Sequence, residues 1–349
     1  MSFSFAGRPG EKRKNAGTVD VAAHYDSLCD AEKHKKRSAS LAFGVRRCNN
    51  ALKRELLQTY VPAPVEGGKG PVLLDLCCGR GGDLDKWRTV LSGDARVLGV
   101  DVSLDSVAEA RRRRDEARRQ GKPDLPACVF LRGDAASPAL WQSVDRLAKG
   151  LSQADQWPSV DVVTCHFAAH YMWATRKSAD DFLRNATCRL RPGGVFICTV
   201  VREATLRERF ASSCADAAVG VGAATAGAFG NALYKVDFCA SVGGAKRNSV
   251  AHVAAQLARH ADGEHAPLSY EFSLVDSVDR CVEWVVPRKH FLQAAARHGL
   301  RPILCDESFE GISAGARANV ERLTQSEREV VSLYGAYVFC KEPAAMEKK

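Results

Sequence analysis

The chain has 349 residues, enough to bury a large core, and its 46% hydrophobic and 26% charged residues are ordinary for a globular enzyme. No apolar run is long enough to cross a bilayer, and the polar, basic N-terminus lacks the apolar core of a secretory signal. Thirteen scattered cysteines without a CxxC pair predict reduced thiols and no metal site, and the net charge of +9 favours a polyanionic partner. We therefore expect an intracellular protein without a membrane-spanning segment.

The N-terminal part is basic. Residues 1–18 have the composition of a flexible lead-in, and residues 19–349 are expected to form a single domain. Basic clusters at residues 12–14, 33–37 and 46–47 would suit a phosphate backbone, although residues 1–17 are better interpreted as a solvated tail. Apolar side chains recur at helical spacing from residue 40 to residue 60, and a linker rich in proline and glycine follows.

A strand, a tight turn and a helix are predicted between Pro71 and Trp87. The apolar run of residues 72–76 stops at small residues, and an amphipathic segment opens after Gly82. Glycines at 79, 81 and 82 let the backbone approach a ligand without an intervening Cβ, and the helix offers unpaired N–H groups. The turn predicts a site for a nucleotide-like ligand.

Strands then alternate with helices, which predicts a parallel, doubly wound sheet. Four further apolar runs predict strands at residues 95–100, 128–131, 160–165 and 195–200. Ligands of such sheets bind beyond the carboxyl ends of the strands. Polar side chains fall at those ends: Asp75, Asp101, Asp134, His170 and Tyr171. Asp101 comes 22 residues after Gly79, where nucleotide-binding folds place an acid for ribose hydroxyls.

The second half of the chain is less regular. Residues 211–228 are rich in small side chains and predict a mobile loop, residues 229–238 predict a strand, and residues 239–267 are interpreted as an insertion without an assignable role. Later elements are predicted as strands at 268–274 and 335–340 and a helix at 288–298. The arginines between residues 111 and 119 are interpreted as a solvated helix face rather than an RNA contact.

Three acids at successive strand ends suit a ligand with hydroxyl and amine groups. Neither the GxGxxG pattern of dinucleotide enzymes nor the Gly-Lys-Ser/Thr end of a phosphate loop is present. The set resembles class I S-adenosylmethionine-dependent methyltransferases. Within that class, residues 21–341 resemble the mRNA cap guanine-N7 methyltransferases through segments in the same order: VAAHYDSL, KRSAS, RRCNNALK, LDLCCGRGGDLDKW, CHFAAHYMW, LRNATCRLRPGGVFICTV, FGNALYKVDF, YEFSLVDSVDRCVEW and AYVFCKE.

The resemblance implies an α/β fold with a doubly wound, mostly parallel Rossmann-like sheet, an N-terminal helical extension and inserted substrate-side segments. It implies an enzyme that transfers a methyl group from S-adenosylmethionine to guanine N7 of the GpppN cap on mRNA, leaving S-adenosylhomocysteine and using no metal. The expected partners are capped RNA and proteins of the capping apparatus, and the enzyme is expected to be a nuclear monomer.

For the methyl donor, the resemblance implies that Lys53 pairs with the methionine carboxylate and that Asp101 holds the ribose hydroxyls. Asp75, Cys77 and Gly79 would line the turn against it. Further along the strand ends, the implied contacts with the adenine and with the rest of the donor are, respectively, Asp134 with Ala135, and His166.

For the cap, the resemblance implies one wall of the pocket from Phe167, His170 and Tyr171. Glu283 would accept hydrogen bonds from the guanine edge, and Tyr337 would close the pocket. No general base is expected, because guanine N7 carries a lone pair and no proton; orientation and the charge of Glu283 near the ring would suffice. Taken alone, each of these residues would be interpreted as an ordinary core or surface side chain.

Two residues depart from the family pattern. Cys77 stands where a glycine is usual, which is tolerated without strain only if its φ is negative. Arg80 stands where lysine is usual near the cap phosphates, and keeps the charge with a planar guanidinium. Two alternatives stay open at this point: a class I methyltransferase acting on another RNA position or a small molecule, and a cap-binding module without catalysis.

Overall fold

The computed structural model describes residues 21–23, 26, 40–61, 70–91, 94–122, 125–148, 157, 159–220, 225–240 and 248–343. The lead-in, the basic clusters at 12–14 and 33–37 and most of the VAAHYDSL segment lie outside the described residues. Within them the strands are β1 (Val72–Leu76), β2 (Arg96–Asp101), β3 (Ala127–Arg132), β4 (Val160–His166), β5 (Leu190–Val201), β6 (Ala228–Gly230), β7 (Tyr234–Asp237), β8 (Ser269–Leu274), β9 (Val278–Trp284), β10 (Leu300–Ser308) and β11 (Tyr334–Lys341).

The helices lie between these strands. They are α1 (Phe43–Tyr60), α2 (Leu84–Val90), α3 (Leu104–Arg119), α4 (Leu140–Ala148), α5 (Arg176–Thr187), α6 (Glu203–Ala218), α7 (Val250–Ala261), α8 (Arg288–Arg297), α9 (Phe309–Ile312), α10 (Ala314–Glu321) and α11 (Gln325–Val331), with a 3₁₀ helix at Ala169–Ala174. In the described part of the chain, no helix is long and apolar enough to cross a membrane.

A seven-stranded sheet in the order β10-β11-β5-β4-β1-β2-β3 forms the centre of the protein. Strands β1 to β5 run parallel, while β11 pairs antiparallel with both β5 and β10. The five residues of β1 are all buried, because helices cover both faces, and side chains alternate between two hydrophobic clusters: Leu73 belongs to one and Leu74 to the other. The predicted doubly wound, mostly parallel sheet is confirmed.

Helix α1 packs on this core through the apolar stripe that its sequence predicts. Val45, Cys48, Leu52 and Leu56 are buried. Leu41, which the spacing places on the same stripe, is 71% exposed, because the helix begins two residues later at Phe43. The helix thereby carries Lys53 toward the carboxyl edge of the sheet.

A second sheet of four antiparallel strands, in the order β6-β7-β8-β9, corrects three expectations. Residues 211–228 are not a loop throughout, since α6 extends to Ala218. The single strand expected at 229–238 is a hairpin, β6 and β7, that turns at Asn231. The presumed insertion at 239–267 contains α7, which buries Val253 and Leu257 in the core.

The arginines of α3 have two kinds of partner. Arg112 and Arg113 pair with Glu109 on the helix surface, as expected of a solvated face. Arg111 and Arg114 instead donate to the backbone carbonyls of Phe130 and Cys128 in β3, the edge strand of the large sheet. These two arginines therefore occupy part of the exposed strand edge. The cysteines of the described part carry free thiols, as predicted.

Candidate active site

The glycine turn after β1 is joined to the acid at the end of β2. The N–H of Gly79 donates to Asp101 Oδ2 at 2.8 Å, and the N–H of Ser103 donates to Oδ1 at 2.9 Å. Gly79 has a φ of +52°, and a Cβ placed on it would meet no atom within 4 Å. Burial raises the pKa of Asp101, and the two hydrogen bonds oppose that rise. Open backbone therefore lies beside a half-buried carboxylate, an arrangement suited to a ribose.

Cys77 begins this turn in the left-handed region, with a φ of +61°. The condition under which cysteine replaces glycine without strain is therefore not met, and the Cβ costs about 1–2 kcal/mol. The side chain is half-buried and its thiol forms a hydrogen bond with Cys165 of β4. That hydrogen bond, together with burial, raises the pKa of the Cys77 thiol well above its ordinary value. Cys77 is held as a neutral thiol at the edge of the turn.

Asp83, at the start of α2, lies between two lysines. Its Oδ2 is 3.0 Å from Lys53 Nζ, and its Oδ1 is 2.7 Å from Lys86 Nζ. Burial alone would raise the pKa of Asp83, but the two ammonium groups lower it well below its ordinary value. Sequence reasoning missed Asp83 and Lys86; the acid directly after the glycines, at the first turn of a helix, is the signal that could have indicated Asp83.

Asp75 lies beneath the turn, 3% exposed, and accepts a 2.6 Å hydrogen bond from Thr164 Oγ1. Burial and the nearby Asp83 raise its pKa to about 7. The structure thus places Asp75 under the backbone of the turn rather than on an open wall.

His166 and Phe167 mark the end of β4. His166 is buried, and burial together with Lys53 lowers its pKa to about 3, so the ring is neutral. Its Nε2 has no hydrogen-bond partner within the described residues. Phe167 has a φ of +58°, and Lys53 Nζ lies 5.4 Å from the centre of its ring. The structure therefore brings Lys53, His166 and Phe167 together.

The adenine contacts predicted at the end of β3 differ in exposure. Asp134 is exposed, and its Oδ1 accepts from the N–H of Ala136 at 2.8 Å. Ala135 is buried, and its carbonyl accepts from Asn185 Nδ2 at 2.9 Å. This carbonyl is thus engaged by α5, which fixes the loop after β3.

The residues predicted for the cap come together between the two sheets. His170 and Tyr171 lie on the 3₁₀ helix that follows β4, with ring centroids 4.3 Å apart. Glu283 of β9 is 3% exposed, and its Oε1 is 3.3 Å from His170 Nε2. The hydroxyl of Tyr270, which sequence reasoning did not single out, donates to Glu283 Oε2 at 2.9 Å. Tyr171 Oη lies 3.5 Å from Cys281 Sγ. A buried carboxylate is therefore framed by rings and donors.

Tyr337 is not part of this group. It is 1% exposed and its ring packs at 4.9 Å from Phe291 and at 6.0 Å from Phe339, in the apolar core. Tyr334, three residues earlier on β11, points to the other face of the sheet and meets the edge of the Phe167 ring at 5.0 Å. Tyr334, not Tyr337, adjoins the predicted pocket. Arg80 lies half-buried in the glycine turn.

Among the residues that the structure describes, no group of three His, Cys, Asp or Glu side chains is arranged to hold a metal ion. The doubly wound sheet, the glycine turn after β1 and the acid ending β2 define a class I methyltransferase fold. A solved structure titled as the CcbJ methyltransferase from Streptomyces caelestis is similar, with a TM-score of 0.50 and 15% identity over 93% of this chain and 100% of that chain. At that identity the likeness shows the fold alone.

The chain belongs to the mRNA (guanine-N(7))-methyltransferase family, whose domain model matches residues 9–316. It is 30% identical over 298 residues to the mRNA cap guanine-N(7) methyltransferase of Meyerozyma guilliermondii, and 27% identical over 358 residues to mRNA cap guanine-N(7) methyltransferase 1 of Oryza sativa subsp. japonica. These alignments cover 80% and 96% of this chain; the chain spans 47% of the first relative and 84% of the second. The predicted family is confirmed, and the predicted residue roles remain predictions.

Proposed function

We propose that the protein transfers a methyl group from S-adenosylmethionine to N7 of the guanine in the GpppN cap of mRNA. The observation that carries this proposal is the buried Glu283 carboxylate, 3.3 Å from His170 and beside Tyr171, in a chain of the cap methyltransferase family. A carboxylate in a dry, ring-lined site suits the N1–H and amino edge of guanine, and its charge would stabilise the cation that methylation creates.

The residues at the glycine turn fit an adenosyl amino acid. Positions 79 and 82 have no atom within 4 Å of an added Cβ, which leaves room for a ligand against the backbone. The half-buried Asp101 offers oxygen lone pairs to a diol, and Lys53 offers an ammonium to a carboxylate. His166 Nε2, unpartnered within the described residues, adds a neutral polar atom at the end of β4. Asp134 and Ala135 would border the adenine, with Asp75 and Cys77 supporting the turn.

When bound, S-adenosylmethionine supplies a methyl group on a positively charged sulfur that leaves readily. Guanine N7 has no proton to lose, so none of the residues named needs to act as a base. The task of the chain is to hold guanine with N7 facing the donor. Phe167, His170 and Tyr171 would fix the plane of the base, Glu283 its edge, and Arg80 the phosphates.

One observation favours a second candidate, a cap-binding module without catalysis. Cys77 places a Cβ where the family usually has glycine, at a φ of +61°, beside the proposed donor site. Calorimetry with S-adenosylhomocysteine separates the two candidates. Binding of a cap analogue without binding of S-adenosylhomocysteine would contradict the proposed enzyme.

The activity is tested by transfer of a labelled methyl group to GpppN-ended RNA, compared with uncapped RNA of the same sequence and with small-molecule acceptors. We expect label on the capped RNA alone, and at guanine N7 after digestion of the product. Label on uncapped RNA, or at another position, would instead support a methyltransferase of different specificity. The proposal includes a monomeric enzyme in the nucleus that acts beside other proteins of capping, since its substrate is made there.

A further inference from the structure

Lys86 is a buried lysine with two partners at the glycine turn. It lies in the first turn of α2 and is 3% exposed. Its Nζ is 2.7 Å from Asp83 Oδ1 and donates to the carbonyl of Gly82 at 3.0 Å. A lysine is rarely buried to this degree unless its charge is paired. Lys86 therefore fixes both the carboxylate and the last residue of the turn.

Lys86 does not hold Asp83 alone. The other carboxylate oxygen of Asp83 is 3.0 Å from Lys53 Nζ, so a single carboxylate lies between two ammonium groups. Lys53 is more open than Lys86, with a side-chain exposure of 17% against 4%. Of the two lysines, Lys53 is the one that a ligand can reach.

The charges around this group do not balance. Lys53 and Lys86 contribute two positive charges and Asp83 one negative charge. Asp75 lies nearby but is buried with a pKa of about 7, and His166 is neutral. A partly desolvated site with surplus positive charge attracts an anion. The α-carboxylate of an amino acid would supply one.

We propose that Lys86 is a positioning residue for the methyl donor: by holding one oxygen of Asp83, it leaves the charge of Lys53 incompletely neutralised and available to the α-carboxylate of an adenosyl amino acid. This inference rests on the proposed function, since it concerns the same donor. Lys86 acts through Asp83 and the turn, and it does not need to touch the donor.

The test compares two probes by calorimetry. S-adenosylhomocysteine carries the α-carboxylate and α-amine, whereas 5′-methylthioadenosine has the same nucleoside and a thioether without the amino acid. In Lys86→Met the surplus positive charge is lost. We expect S-adenosylhomocysteine to bind roughly tenfold more weakly or worse, the effect of a unit charge several ångströms away, while 5′-methylthioadenosine binds as in the unchanged protein.

Two further variants and one control complete the test. Lys86→Gln keeps a polar group near the Gly82 carbonyl but loses the charge, and we expect it to behave like Lys86→Met; it serves if the methionine variant does not fold. Lys86→Arg keeps the charge and is expected to retain most of the affinity. Lys122, 3.6 Å from Asp85 on the same helix and 41% exposed, provides the control Lys122→Met, with both affinities unchanged.

The outcomes separate the inference from the proposed function. If the unchanged protein fails to bind S-adenosylhomocysteine, the proposed function is wrong. If it binds and the neutral Lys86 variants bind both probes as tightly as before, the role of Lys86 is wrong. Equal weakening of both probes would mean that Lys86 only supports the shape of the turn, which also overturns the inference.

Discussion

Tyr270 and Glu283 lie directly opposite each other on β8 and β9, and the Tyr270 hydroxyl donates a 2.9 Å hydrogen bond to Glu283 Oε2. Both side chains are buried, and burial together with the nearby Glu283 raises the pKa of Tyr270 well above its ordinary value. The hydroxyl therefore stays protonated and holds one oxygen of the carboxylate. The other oxygen faces His170.

Removing the Tyr270 hydroxyl is expected to loosen Glu283. In Tyr270→Phe we expect kcat/KM for capped RNA to fall about tenfold or more, since a hydrogen bond to a charged group contributes about 1.5–3 kcal/mol. S-adenosylhomocysteine should bind as before, because Tyr270 lies on the other sheet. Steady-state kinetics and calorimetry provide the two measurements, and unchanged kinetics would show that Glu283 needs no such support.

Truncating Glu283 removes the charge itself. We expect Glu283→Ala to lose most methyl transfer, on the order of 100-fold, while the donor still binds. Glu283→Gln keeps the volume and the hydrogen bond from Tyr270, and so isolates the charge. Methylation of capped RNA at the normal rate by the alanine variant would refute the role assigned to this residue.

Cys77→Gly relieves a left-handed backbone at the donor turn. The relief of about 1–2 kcal/mol is partly offset by the entropy of glycine in the unfolded chain, so we expect stability to change by less than about 1 kcal/mol. Donor affinity should rise a few-fold, because the Cβ leaves the turn. Cys77→Ala keeps the Cβ and serves as the control without a gain. Calorimetry decides; equal affinities for glycine and alanine would exonerate the side chain.

The pKa of Asp75, raised to about 7 from 3.8, makes stability depend on pH. Because the folded state holds the proton more tightly, the stabilisation is complete below the unfolded pKa and is lost as pH rises through about 7. Asp75→Asn cannot ionise and keeps a partner for Thr164. Relative to the unchanged protein, the variant should gain roughly 1 kcal/mol or more between pH 5 and pH 8 in urea unfolding. A difference that stays constant over this range would contradict the shifted pKa.

The two tyrosines of β11 should respond differently to leucine. Tyr337→Leu disturbs the packing against Phe291 and Phe339, and we expect a loss of about 1–3 kcal/mol in the free energy of unfolding with kcat/KM within about threefold. Tyr334→Leu removes the ring edge that meets Phe167, and we expect roughly tenfold lower kcat/KM for capped RNA. The opposite pattern would restore Tyr337 as the pocket residue.

The sequence predicts the parallel strands well because each is a continuous apolar run that both layers of helices bury. It predicts β10 and the short helices α9, α10 and α11 poorly. Arg301, Pro302 and Ile303 on the edge strand β10 are exposed, so no apolar pattern marks it. The helices are of four to eight residues, too short for a periodic signal.

The site was predictable where a residue type and its place at a strand end coincide, as for Asp101 and His170. Lys86 was not, because its role depends on contacts with Asp83 and, through it, with Lys53 on a different helix. The choice of Tyr337 over Tyr334 failed because three residues along a strand reverse the face, and the sequence does not show which face of β11 meets Phe167.

Phe167 touches both halves of the proposed site. Lys53 Nζ lies 5.4 Å from the centre of its ring on the donor side, and Tyr334 meets the ring at 5.0 Å on the other side. A ligand that shifts this ring is felt by groups that serve the second ligand. Donor and cap would then bind cooperatively, and the factor by which one changes the affinity of the other would be the same in both directions.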